Sequence, residues 1–149
     1  MADQLVPASI EDRAWLERLR RYVYQDLFKA TFGKWDEARH ARQFEACWER
    51  GGIWIINVND MRVGMIQLFE QPDAVEVCEI QIQPSHQSQG IGSRILKNTI
   101  ARAHKQQKRV LLSVALKNKR ALQLYHRLGF QKAGQSETHN HMVFDLASH

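Results

Sequence analysis

The segment "VEVCEIQIQPSHQSQGIGSRIL", Val75 to Leu96, constrains the fold more than any other. It reads as a long strand, Val75 to Gln83, stopped by Pro84, which has no backbone N–H to give a strand partner. A glycine-containing loop follows, and a helix then runs from Gly90 to Lys105. Ile91, Ile95, Leu96, Thr99, Ile100 and Ala103 fall on one face of that helix. The next apolar run, "RVLLSVAL", is a second strand. A strand, helix and strand in this order form a crossover unit whose strands lie parallel, as neighbours or near neighbours.

Around this unit the patterns are shorter. Ser9 and Asp12 mark a helix start. Trp15, Leu16, Leu19, Tyr22, Val23 and Leu27 then recur at helical spacing to about Lys29. Asp36 begins a second helix carrying Ala41, Phe44, Cys47 and Trp48, which Gly51-Gly52 ends. "IWIINV" and "VGMIQLFE" are strands joined by the turn "NDMR", so they form a hairpin. After the crossover unit, Asn118 to Leu128 is a short helix with Ala121, Leu122, Tyr125 and Leu128 inward. "GFQKAG" and "HMVFDL" are the last strands. The order is β-α-α-β-β-β-α-β-α-β-β, an α/β (α+β) arrangement. It predicts a mixed, mostly antiparallel central sheet flanked by about four helices, with one central βαβ unit. Residues 1–149 read as a single domain, without repeat or linker.

Several function classes are excluded at this level. No apolar run approaches the roughly 20 residues of a membrane span, and "MADQLVPAS" lacks the basic start and apolar block of a signal peptide. Cys47 and Cys78 fit neither a disulfide framework nor a zinc spacing. A reducing cytoplasm is the expected location, with no membrane partner. The net charge of +5 suits an anionic ligand such as a nucleotide cofactor. An aromatic–basic strand pattern is lacking, so nucleic acid is not an expected partner.

The glycines then decide the ligand class. A dinucleotide fingerprint needs a third glycine at Ile95, and the P-loop pattern is absent. Gln87, Gly90 and Gly92 remain, a Q-x-x-G-x-G loop at a helix N-terminus. Such a loop can offer backbone amides to a pyrophosphate, and its glycines leave room for close approach. Two glycines alone fit tight helix packing equally well.

The surroundings resolve this. Ile82-Gln83-Pro84 with Gln87, Gly90 and Gly92 resembles the acetyl-CoA signature of the Gcn5-related N-acetyltransferases, the GNAT superfamily. That signature is a strand end V-x-P followed by Q/R-x-x-G-x-G/A. Downstream, "NKRALQLYHRLGF", Asn118 to Phe130, resembles the family's N-x-x-A-x-x-L-Y-x-x-x-G-F element. The element order agrees along essentially the whole chain, most nearly with small stand-alone bacterial members. Many relatives carry Arg-Gly where this chain has Gln87-Ser88, which implies weaker phosphate attraction and strain at Ser88 if that residue takes positive φ.

The resemblance implies a GNAT-fold acetyltransferase. It would move an acetyl group from acetyl-CoA to a primary amine by direct attack through a tetrahedral intermediate, without a metal. For cofactor binding it implies Ile80, Gln81 and Ile82 at the strand end, and Gln87, Ser88, Gln89, Gly90, Ile91, Gly92 and Ser93 in the loop. Asn118 and Ala121 on the last helix complete the set. Tyr125 matches the tyrosine cast as general acid to the departing thiolate. Glu76 and Glu79 are rival candidates for the base, on opposite faces unless a bulge intervenes, and the amine can also lose its proton to solvent with neither acting. Trp35, Asp36, Glu37 and Glu137 fall in segments expected to flank the acceptor, although Asp36 and Glu37 also read as a helix cap with a first-turn acid. His139 and His141 lack a third ligand and read as surface residues. The acceptor would be a small-molecule or peptide amine, and the protein a monomer or homodimer. The alternative is a GNAT-fold acyl-CoA sensor or scaffold without turnover.

Overall fold

A computed structural model describes residues 3–145 of the protein. Eleven elements and two short 3₁₀ turns follow the expected order. They are β1 (Asp3–Pro7), α1 (Arg13–Phe32), α2 (Glu37–Arg50), β2 (Ile53–Val58), β3 (Met61–Glu70), β4 (Ala74–Ile82), α3 (Ile91–Lys105), β5 (Arg109–Ala115), α4 (Lys119–Leu128), β6 (Gln131–Gln135) and β7 (His139–Phe144). The strands form one sheet in the order β1-β2-β3-β4-β5-β7-β6. The observed pairs are antiparallel apart from β4 with β5, the parallel pair that the crossover predicts. Leu146, the expected end of the last strand, lies outside the described residues. Among those residues no helix is long and apolar enough to cross a membrane.

The chain divides into two compact units, Met1–Gln67 with Glu79–Gln89, and Leu68–Cys78 with Gly90–His149. In the first unit Leu16, Leu19, Phe44, Ile53, Ile55 and Met65 form a buried core, with Trp15, Val23, Cys47 and Trp48 packed against it. Asn59 and Asp60 join β2 to β3 with φ of 52° and 65°. That left-handed pair makes the tight hairpin turn which Asn and Asp tolerate better than most side chains. Tyr22 departs from expectation. It is 58% exposed, because the buried stripe of α1 runs through Leu16, Leu19 and Phe28. A β3 glycine sets the position of β4: a Cβ on Gly64 would stand 2.3 Å from the Gln81 carbonyl oxygen, so only glycine allows that approach.

In the second unit α3 lies on β5 and meets α4. Its buried residues Ile91, Ile95, Leu96, Thr99 and Ala103 are the predicted apolar face, except that Ile100 is only half-buried. Phe130, fully buried just outside β6, packs edge-on against both Tyr125 and Phe144. The two final strands are shifted from their sequence bounds. β6 begins at Gln131 rather than Gly129, because Gly129 takes φ 105° to end α4, and β7 begins two residues early at His139.

Candidate active site

Within the first unit, the end of β4 and the loop after it are tightly bonded. The Glu79 carboxylate receives the Tyr24 hydroxyl at 2.6 Å and the side-chain amide of the buried Gln81 at 3.4 Å, both on Oε2. Gln87 turns its side-chain amide back to the Ile82 carbonyl at 3.0 Å, which ties the loop to the strand end. Pro84–His86 forms a 3₁₀ turn, with the His86 amide donating to the Gln83 carbonyl at 2.8 Å. Ser88 does take a left-handed φ of 66°, the conformation that glycine adopts without strain and serine does not.

Within the second unit, Gly90 is the N-cap of α3 at φ 79°. A Cβ there would meet only Arg94 Nη1, at 3.6 Å, so glycine is required for backbone conformation rather than for space. The helical ladder begins with the Arg94 amide donating to the Gly90 carbonyl at 3.0 Å. The amides of Ile91, Gly92 and Ser93 precede it and have no acceptor in the helix. Asn118 caps α4, its Oδ1 accepting from the Ala121 amide at 3.2 Å. Tyr125 is buried, its ring 5.9 Å from that of Phe130. Glu76 is half-buried on β4 opposite Leu111 of β5. Glu137 is exposed in the β6–β7 turn.

A sequence signal strengthens the anion reading. From Ile80 to Ser136 there are eleven Lys and Arg and no Asp or Glu, while the rest of the chain has ten against sixteen acids. The charge is therefore polarised, and the acid-free part contains the loop, α3 and α4.

Of the expected acceptor-side residues, Trp35, Asp36 and Glu37 lie in the first unit, whereas Glu137 belongs to the second. Asp36 Oδ1 accepts from the Arg39 amide at 3.0 Å and so caps α2. Glu37 takes the Trp35 indole N–H at 2.6 Å and pairs with Arg21; these hydrogen bonds hold its carboxyl below the usual carboxylate range. Arg21 also pairs with Glu17, one turn earlier on α1. Glu17 accepts from His40 Nε2 at 2.9 Å, and Arg20 Nη1 lies 3.1 Å from His40 Nδ1. A guanidinium only donates, so Nδ1 carries the lone pair and Nε2 the proton. Sequence reasoning missed Tyr24, His40, Glu17, Arg20 and Arg21. The i, i+4 pairs Glu17–Arg21 and Arg20–Tyr24 were legible hints on α1.

His40 is 1% exposed. Burial disfavours its charged form, and although Glu17 pulls the other way, the net effect holds its pKa below the ordinary 6.5. The unfolded chain therefore takes up this proton first as pH falls through about 6.5. His40's contribution to stability is complete above that pH and is lost as pH falls toward the folded value. The melting temperature should fall between pH 7.5 and 5.5, and His40→Gln should flatten that dependence. A parent melting temperature that does not change over this range contradicts the assignment.

Cys47 does not supply a nucleophile by default. Burial first, then the charge of Glu79, pushes the Cys47 thiol up to about 11, so it is protonated at neutral pH. His139 and His141 bond Thr138 and Ser113 through Nδ1, each at 2.8 Å. Among the described residues no three His, Cys, Asp or Glu side chains come together as a metal site.

The chain matches the Acetyltransferase (GNAT) family over residues 20–130. An uncharacterized N-acetyltransferase of Methanocaldococcus jannaschii is 29% identical over 125 residues, covering 73% of this chain. The chain spans 55% of that relative's length. Among solved structures, the PaiA N-acetyltransferase from Thermoplasma acidophilum in complex with coenzyme A superposes with a TM-score of 0.75 at 16% identity, covering 97% of this chain and 99% of that one. An acetyltransferase from Thermus thermophilus gives 0.74 at 17% identity, covering 98% of each chain. These two structures share the fold.

Proposed function

Because the chain belongs to the GNAT acetyltransferase family, we propose that it transfers an acetyl group from acetyl-CoA to a primary amine by direct attack. The observation that carries this reading is the N-terminus of α3. Gly90 at φ 79° turns the chain so that the amides of Ile91, Gly92 and Ser93 lead the helix, in a segment free of acids. Amides and helix dipole together favour a diphosphate there. Gln87, Ser88 and Gln89 shape the approach to it. The backbone of Ile80, Gln81 and Ile82 takes the pantetheine arm and thioester, and Asn118 and Ala121 contact CoA from the start of α4.

When bound, acetyl-CoA supplies a thioester activated toward amines. Glu79 accepts the proton that the amine loses as its nitrogen bonds the acetyl carbon, directly or through a water. Tyr125 delivers a proton to the sulfur as the carbon–sulfur bond breaks. Glu79 is taken as the base because two donors hold its carboxylate in one orientation; Glu76 is its rival. The protonated state of Cys47 speaks against an acyl-cysteine route through that residue.

Asp36, Glu37, Glu79 and Glu137 favour a cationic or neutral acceptor, with Trp35 offering a ring face to a cation. A panel of small amines and peptide N-termini, with detection of released thiol, tests this. The best acceptor should be a cationic or neutral amine. An alcohol or a strongly anionic amine as best acceptor contradicts the assignment.

A further inference from the structure

We propose that Tyr24 is a positioning residue, which fixes the orientation of the Glu79 carboxylate for proton transfer, with Arg20 and His40 fixing Tyr24 in turn. The proposal rests on the reading of Glu79 as the base. A glutamate's terminal torsion is broad, so an unrestrained carboxylate presents either oxygen over a wide arc. Here the Tyr24 hydroxyl donates to Glu79 Oε2 at 2.6 Å, the length of a charge-assisted O–H···O⁻ bond. Gln81 donates to the same oxygen at 3.4 Å. Both donors converge on Oε2, which leaves Oε1 to meet the amine or its bridging water.

The support extends behind Tyr24. The Arg20 guanidinium carbon lies 5.2 Å from the Tyr24 ring centroid. Arg20 is held by the buried His40 at 3.1 Å and by Gln43 at 2.8 Å. His40 in turn gives its Nε2 proton to Glu17. A buried histidine on α2 thus anchors an arginine on α1, the arginine backs a tyrosine, and the tyrosine aims a carboxylate on β4. All these residues lie in one compact unit. Tyr24 acts through Glu79 and has no role if the carboxylate is absent.

That dependence sets the test, a double-mutant cycle on the intact protein with acetyl-CoA and its best amine acceptor. Tyr24→Phe should lower kcat about tenfold or more while KM for acetyl-CoA stays within about twofold. Glu79→Gln should lower kcat by about 10² or more, the scale of general base catalysis. The double variant should match Glu79→Gln, since an amide gives Tyr24 no base to aim. If the Tyr24→Phe loss multiplies in full on the Glu79→Gln loss, Tyr24 acts independently of Glu79 and the proposal fails. Parental kcat in Tyr24→Phe beside a crippled Glu79→Gln overturns the positioning role and leaves the base assignment standing. Parental kcat in Glu79→Gln overturns the base assignment and the positioning role together. Should Tyr24→Phe unfold, Arg20→Lys provides a second entry to the cycle. It keeps the charge and loses the fork that holds His40 and Gln43. Its kcat loss should also vanish in the Glu79→Gln background, and persistence of the full loss there counts against the proposal.

Discussion

Replacing Gly92 with tryptophan should weaken CoA binding by at least about 100-fold, roughly 2.7 kcal/mol, in a protein that still folds. Gly92 lies in the first turn of α3 and is not among the residues at positive φ. Any L-residue can adopt that conformation, and glycine inside a helix costs about 1 kcal/mol relative to alanine. The backbone therefore does not resist the change. An indole there would cover the leading amides of the helix and fill the space a diphosphate needs. Gly90 is the poorer test, because its φ of 79° makes every substitution strained and confuses folding with binding. Calorimetry with CoA on the folded Gly92→Trp variant reads the effect. Unchanged affinity removes the diphosphate from this loop.

Tyr125→Phe should lower kcat by about 10²-fold or more while leaving acetyl-CoA affinity within about tenfold, ~1.4 kcal/mol. The ring is buried and packs edge-on against Phe130. Phenylalanine keeps that packing and removes only the hydroxyl, so the fold and the cofactor site should be retained. A thiolate is a tolerable leaving group in water, and for this reason the loss stops short of complete inactivation. Equal rates for variant and parent would make Tyr125 a packing residue. A loss of rate matched by an equal loss of affinity would make it a binding residue. Absence of turnover in both proteins with every amine would favour an acyl-CoA sensor.

What could be read from the sequence was mainly local. The caps at Asp36 and Asn118, the glycine before α3, the β2–β3 turn and the apolar face of α3 all follow from neighbours within a few residues, although Met61 and Arg62, read as part of that turn, belong to β3. Local chemistry dominates at such positions. The parallel pairing of β4 and β5 followed from the handedness and length of a helical crossover. The contact of Tyr24 with Glu79 was not legible, because the two are 55 residues apart and no periodicity relates a residue on α1 to one on β4. Nor was the reason for Gly64, which depends on the carbonyl of Gln81. Tyr22 was misplaced because at helical spacing it falls beside the buried stripe of α1, and the choice between two edges is made by packing. The rivalry of Glu76 and Glu79 was open for the same reason: alternation separates their faces without saying that Tyr24, on α1, reaches Glu79.

The most direct test of direct acetyl transfer is a mass balance on the unmodified protein. Acetyl-CoA is supplied with the best acceptor from the amine panel, and free thiol and acetylated amine are measured together by chromatography and mass spectrometry. Direct transfer predicts one thiol released per amide formed, little thiol without amine, and no acetyl group left on the protein. Thiol release that does not depend on amine, or an acetylated protein that accumulates and then transfers its acetyl group, would contradict it.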